Sequence, residues 1–168
     1  MVSRLGVTVP RSALPLVLTL SLLLGCAPRL GSAGDQVIRI HPLQEPIDRQ
    51  ATAVVEVLSA VWGDGVDVRT ITREAVEGAL HGAQLFARIA APDDASRYLV
   101  RVEMLQRPPV GRSPGETDGA VSVFDRQRNV VTATFRIRQV GASDDPRRAA
   151  QALGRTVAEV LREPVVRD

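Results

Sequence analysis

The chain has 168 residues, 45% of them hydrophobic and 24% charged, with one cysteine, two histidines and 3% aromatics. That length suits one domain with a tail, and the apolar content is enough for a packed core, which excludes wholesale disorder. A single cysteine excludes an internal disulfide and a cysteine zinc cage, and so few aromatics exclude a stacking platform for single-stranded nucleic acid. All 21 basic residues are arginine, and the formal net charge is +2. Arg4 and Arg11 lie in an N-terminal segment expected to be removed; without them 19 basic residues face 19 acidic ones. A balanced chain has no global field steering it to DNA, RNA or an anionic bilayer, so no nucleic-acid partner is expected.

Residues 1–25 have the layout of an export signal. Arg4 and Arg11 supply positive charge, Ala13–Leu24 is an apolar run of 12 residues, and small Gly25 precedes Cys26. A membrane-spanning helix needs about 20 apolar residues, so this run is too short, and Pro15 interrupts it. The tetrapeptide Leu23-Leu24-Gly25-Cys26 resembles the lipobox of bacterial lipoproteins. That resemblance implies a diacylglycerol thioether on Cys26, cleavage before it, and an N-acyl chain (commonly palmitate) on the new amino group. No other cofactor is expected. Ala27, where enteric lipoproteins retained in the inner membrane carry Asp, implies the periplasmic side of the outer membrane. Residues 26–36 then form the lipidated N-terminus and a Gly/Ser/Ala/Pro-rich tether, and residues 37–168 a single periplasmic domain.

Within that domain, Gln36–Leu43 predicts a strand that Pro42 ends. Residues 51–62 (ATAVVEVLSAVW) fit either a helical stripe or a strand; their valines favour the strand. Gly63-Asp64-Gly65 is a turn. A helix follows, capped by Thr70 or Thr72, with Ile71, Ala75, Val76, Ala79, Leu80 and Ala83 at helical spacing. Arg97–Leu105 alternates as a strand. Gln106–Gly119, with three prolines and three glycines, reads as a long mobile loop, and Ala120–Phe124 as a short strand. Val130–Val140 is a strong strand, with Ala133, Phe135 and Ile137 on one face and Arg136 and Arg138 on the other. Asp145-Pro146 opens a last helix, which Pro164 stops. The predicted class is α+β: an antiparallel or mixed sheet of about four strands with two helices on one face.

This order resembles small bacterial envelope lipoproteins, including the lipopolysaccharide-assembly lipoprotein, auxiliary lipoproteins of ABC transporters and the curli-secretion lipoprotein. Ile71–Phe86, followed by Tyr98–Leu105 and Val130–Val140, is also similar to a set of uncharacterised outer-membrane lipoproteins. In those, a helix ends in a Gly-Leu-Phe-like turn before two long strands; here Gln84 stands where they have Gly. The resemblance implies adaptors rather than catalysts.

No catalytic constellation is legible. His41 precedes Pro42 at a strand end, and His81 sits near a helix C-terminus, so surface or capping roles explain both. The spacings of HExxH and similar metal motifs are missing, so no metal site is expected. Asp93-Asp94 and Asp144-Asp145 fit turn and cap positions. Arg101, Arg136 and Arg138 would form a basic partner patch if their strands pair, although a solvated face balanced by Glu103 is the plainer reading. Arg112, in the segment 106–119, is the other candidate contact. The function implied is a non-catalytic, lipid-anchored accessory subunit of an envelope complex for transport, secretion or surface-polymer assembly. The alternatives are a periplasmic enzyme and a structural lipoprotein that binds peptidoglycan or lipid. Substituting Cys26→Ser is expected to leave the precursor uncleaved or to release the protein from membranes, as read by fractionation and blotting; undiminished membrane retention would contradict the anchor.

Overall fold

A computed structural model describes residues 35–92 and 94–163. The export segment 1–25, the lipobox Leu23–Cys26, residues 27–34 of the tether, Asp93 and the helix stop at Pro164 lie outside the described residues. The elements run β1 (Gln36–His41), β2 (Thr52–Trp62), β3 (Val66–Asp67), α1 (Arg69–Gly82), β4 (Arg88–Ala90), β5 (Tyr98–Arg107), β6 (Gly115–Asp125), β7 (Val130–Ala142) and α2 (Pro146–Arg162). The class is α+β, but the sheet has seven strands rather than four. Its order is β1-β7-β6-β5-β2-β3, with β4 also on β2.

The sheet is mixed. β2 and β5 are parallel neighbours, joined by the crossover through α1, whereas β5, β6, β7 and β1 pair antiparallel. The ambiguous stretch 51–62 is strand β2. Its Ala53, Val54 and Val55 are all buried, as in a strand covered on both faces, and the β-branched valines suit that setting. β3 and β4 have two and three residues, too few to show a period in the sequence.

The expected loop 106–119 is instead most of a β-hairpin. β5 continues to Arg107 and β6 begins at Gly115, with every β6 residue from Glu116 to Asp125 in register with β5. Only residues 108–114 connect them, tightened by a Val110–Ser113 bridge. Pro108 and Pro109 do end the ladder, since they offer no N–H. The glycines that made β6 look like loop are there for close approach. A Cβ on Gly119 would lie 2.6 Å from Leu153 Cδ1, and one on Gly115 would lie 2.7 Å from the Ala142 carbonyl oxygen. Gly119 is thus the seat for Leu153, a fully buried core residue on α2.

Both helices cover one face of the sheet. A single core joins Val76 and Leu80 of α1 and Leu153 and Val157 of α2 to Val100, Val102, Val121, Phe135 and Ile137 of the strands. The helices meet where α2 lacks a side chain. A Cβ on Gly154 would sit 2.8 Å from the Ala75 carbonyl oxygen and 3.3 Å from Ala79 Cβ, so a larger residue would push the helices apart. α2 begins as expected, with the Asp145 carboxylate accepting from the Arg147 N–H at 2.8 Å and Pro146 in the first turn. α1 begins differently. Neither Thr70 nor Thr72 caps it: the Asp67 carboxylate, one residue before the cap position, accepts from the Arg69 N–H at 2.9 Å. Thr72 is buried in the helix, its hydroxyl donating to the Val68 carbonyl.

α1 closes with the Leu85 N–H donating to the Leu80 carbonyl at 3.3 Å. That closure requires a left-handed residue, and Gln84 adopts φ 54°. Gln84 therefore occupies a conformation that costs an L-residue about 1 kcal/mol and glycine almost nothing. Gln84→Gly is expected to raise stability by about 0.5–1 kcal/mol, as measured by a higher thermal midpoint. An unchanged or lower midpoint would mean that the Gln84 side chain contributes an offsetting contact.

Candidate functional site

The sheet face away from the helices is closed at the β4 end, where Val54, Ala90 and Leu99 are buried, and open toward the other end, where the register places its side chains in rows. One row runs Ile38 (β1), Arg136 (β7), Ala120 (β6), Glu103 (β5) and Ser59 (β2); the next runs Gln36, Arg138, Asp118, Leu105 and Val61. A shallow groove of about 510 Å³ lies over these rows. Ile38 and Leu105 are exposed within it, by 59% and 39%.

The three outward arginines do not form a basic patch. β5 and β7 are not neighbours: β6 lies between them and brings Glu116 and Asp118 onto the same face. Arg138 bonds Glu116 at 3.0 Å, and Arg107 spans Glu116 at 3.4 Å and Asp118 at 3.3 Å. Arg101 pairs with Glu56 of β2 at 2.8 Å rather than with Glu103. Among the described residues Arg136 has no ion-pair partner on this face. Arg112 stands apart in the turn at 110–113. The face is a nearly neutral lattice of alternating charge, and such exposed pairs each contribute little to stability.

At the opposite end of the sheet a buried carboxylate anchors three segments. Asp125 is 1% exposed and accepts from the Arg97 guanidinium at 3.0–3.1 Å and from the Gln127 and Arg128 N–H groups at 3.0 and 3.1 Å. Arg97 also reaches Asp48 at 2.6 Å and stacks 5.0 Å from the Tyr98 ring centre. Burial by itself would raise the Asp125 carboxyl. The Arg97 hydrogen bond, the Arg97 charge and the two backbone N–H groups outweigh it and hold the carboxyl below the ordinary carboxylate value. This cluster joins the 42–51 loop to the β6–β7 hairpin and is structural.

A buried polar row crosses the sheet at the end where α2 begins: Gln106, Thr117 and Gln139 are register partners on β5, β6 and β7. Gln106 donates to the Ser143 carbonyl at 2.9 Å. Gln139 Nε2 donates to Asp35 Oδ2 at 2.8 Å, and the Thr156 hydroxyl of α2 donates to the same oxygen at 2.5 Å. Asp35, the first described residue, is thereby fastened to α2 and β7. Sequence reasoning missed this clasp because its members are 17 to 121 residues apart and none stands in a motif.

A second groove, of about 610 Å³, lies along the free edge of β2 beside the start of α1, lined by Val55, Glu56, Val57, Thr70 and Arg73 among others. His41 and His81 are not brought together with any acid cluster. Among the described residues no group of three His, Cys, Asp or Glu is placed to hold a metal ion, and no helix is long and apolar enough to cross a membrane.

No protein-family model matches the chain, and no curated protein matches it. Solved structures do. The chain superposes on a subunit of the PelC dodecamer from Paraburkholderia phytofirmans with a TM-score of 0.60 at 16% identity, over 77% of this chain and 98% of that one. A second crystal form of the same dodecamer gives 0.57 at 15% identity, over 78% and 99%. The domain has the PelC fold. With essentially the whole PelC chain covered, the likeness is not a shared fragment. Identity this low transfers the architecture and leaves the site residues to be argued from this chain.

Because Asp125 is depressed in the folded protein, its contribution to stability is present above the unfolded-state carboxyl value and is lost as pH falls through the lower folded value. Arg97→Met is expected to lower stability at neutral pH, because the Asp125 carboxylate loses its guanidinium and keeps only the Gln127 and Arg128 N–H groups. It should also flatten the acid limb of the stability–pH curve. Urea titrations of both proteins across the acid range measure this, and a parallel pair of curves would assign the acid limb to other groups.

Proposed function

We propose that this protein is a lipid-anchored lipoprotein of the bacterial envelope, non-catalytic, and an accessory subunit of an envelope complex for transport, secretion or surface-polymer assembly. The observation that carries the reading is the pairing of Leu23-Leu24-Gly25-Cys26, at the end of a short apolar run, with a domain that matches the PelC subunit along 98% of its length. The anchor is on Cys26, and the location is the periplasmic side of the outer membrane. Both PelC structures are dodecamers, and self-assembly is part of the reading for this chain.

What the site offers chemically agrees with a binding role. The open sheet face presents paired charges and exposed Ile38 and Leu105 in a shallow groove, a surface for contact rather than an enclosed reaction chamber. The hairpin connection at 108–114, carrying Arg112 and exposed Val110, projects beyond the sheet as a further contact.

Purification of the tagged protein from its own membranes in mild detergent, with Cys26→Ser as control, tests the reading by mass spectrometry and native mass. A multi-subunit species with stoichiometric envelope partners, lost or weakened in the control, is expected. A monomer with no enriched partner would favour the enzymatic or wall-binding alternatives.

A further inference from the structure

The exposed side of α2 carries an excess of arginine. Arg148, Arg155 and Arg162 recur every seventh residue, so they fall on one stripe of the helix, drifting only about 20° per heptad. Arg147 lies beside that stripe, and all four are exposed. Arg148 makes one long contact to the cap residue Asp145, at 3.7 Å; among the described residues Arg147, Arg155 and Arg162 make no ion pair. The opposing charges are few. Glu159 lies on the stripe, and Glu163 is taken by Arg39 of β1. Asp144 stands at the N-terminal end. The neighbouring helix α1 faces out with Glu74 and Glu77 against Arg69 and Arg73, and so adds no net charge. The sheet face on the other side of the domain neutralises its own arginines, as described above.

The tether leaves the domain at this same helix. Asp35 is held by Thr156, the residue after Arg155, and by Gln139. Eight residues separate Asp35 from Cys26. Even fully extended, that stretch reaches no more than about 30 Å. The axis of α2, with 17 residues, is about 25 Å long. An anchor on Cys26 therefore confines the arginine stripe to a zone a few tens of ångströms deep beside the bilayer, in which it repeatedly comes within the Debye length of about 8 Å where a basic surface is drawn onto an anionic one.

We infer that α2 is the membrane-facing surface of the domain, docking through Arg148, Arg155 and Arg162 onto anionic phospholipid headgroups and leaving the open sheet face turned away from the bilayer for a protein partner. This inference rests on the lipid-anchor reading. A groove of about 180 Å³ between the helices is lined by Ala79, Ala83 and Ala158 together with Arg155 and Arg162, the charge-assisted donors a headgroup phosphate would take. Glu159 in the same groove opposes it and sets the affinity low enough for docking to depend on lipid composition.

The test uses the lipidated protein purified from membranes and reconstituted in vesicles of phosphatidylcholine alone or mixed with phosphatidylglycerol. With the single native cysteine acylated, Gln151→Cys on the stripe takes a unique spin label, and Glu103→Cys on the open sheet face serves as the control. The stripe label is expected to lose access to a water-soluble relaxant in phosphatidylglycerol vesicles only, and to regain it in high salt. The control label should stay accessible throughout. Arg155→Glu with Arg162→Glu should lower the docked-to-free ratio at least about tenfold, from about fivefold per arginine removed near such a surface. Glu159→Gln should raise it. Equal access of the stripe label in both vesicle types, or protection of the sheet label instead, overturns the inference while leaving the anchor intact. An unmodified Cys26 peptide in the mass spectrum overturns the anchor reading, and this inference with it.

Discussion

The packing of α2 against both the sheet and α1 depends on two side chains that are not there. Leu153 lies in the space that a Cβ on Gly119 would fill, and the backbone of Gly154 rests against the Ala75 carbonyl. These adjacent α2 residues make close approaches in two directions, one downward to β6 and one sideways to α1. From them follow the continuous core from Val76 through Leu153 to Phe135 and the position of Thr156, one turn on, against Asp35. A well-packed interior relaxes only partly around an added methyl group. Gly119 therefore limits the helix–sheet spacing, and Gly154 the spacing of the two helices.

That spacing links the core to the two surfaces. On the helix side, burial of Leu153, Val157 and Leu161 turns Arg148, Arg155 and Arg162 outward as a matter of helical period. On the sheet side, strand alternation that buries Val121, Val123, Phe135 and Ile137 turns Asp118, Arg136 and Arg138 outward. The two faces differ in charge for a topological reason. β6 inserts between the arginine-bearing strands and supplies their carboxylates, whereas α2 is flanked on its outer side by a helix of balanced charge. One face is thus paired within itself, and the other carries unmatched arginine.

Much of the fold was legible in the sequence where a period was long and unbroken. β5, β7 and both helices stand within a few residues of where alternation, stripes and the Asp145-Pro146 cap put them. Only the second half of β6, Ala120–Phe124, was legible, because Gly115 and Gly119 break the apolar face of its first half and carry the ordinary signal of a loop. Their purpose appears only when Ala142 and Leu153 are seen above them. The turn at Gln84 was partly legible: the family pattern marks the position as one for glycine, and the backbone there is indeed left-handed. For Arg101, Arg136 and Arg138 the sequence offered a basic patch or a balanced, solvated face; it could not show which carboxylates balance them, because Glu56 and Glu116 come from β2 and β6.

By itself the sequence determined the near balance of charge and the local elements whose periods run for two turns or more, and it carries the tetrapeptide Leu23-Leu24-Gly25-Cys26 on which the proposed anchor rests. These depend on residues close together in the chain, where side-chain direction follows from backbone geometry alone. Only the tertiary structure decided which strands are neighbours and which glycines are close approaches. It also decided which arginines find carboxylates, and that Asp35, Gln139 and Thr156 meet to fasten the start of the domain to β7 and α2. Each of these is a contact between segments far apart in sequence, and such contacts are set by the packing of the whole core rather than by any local preference.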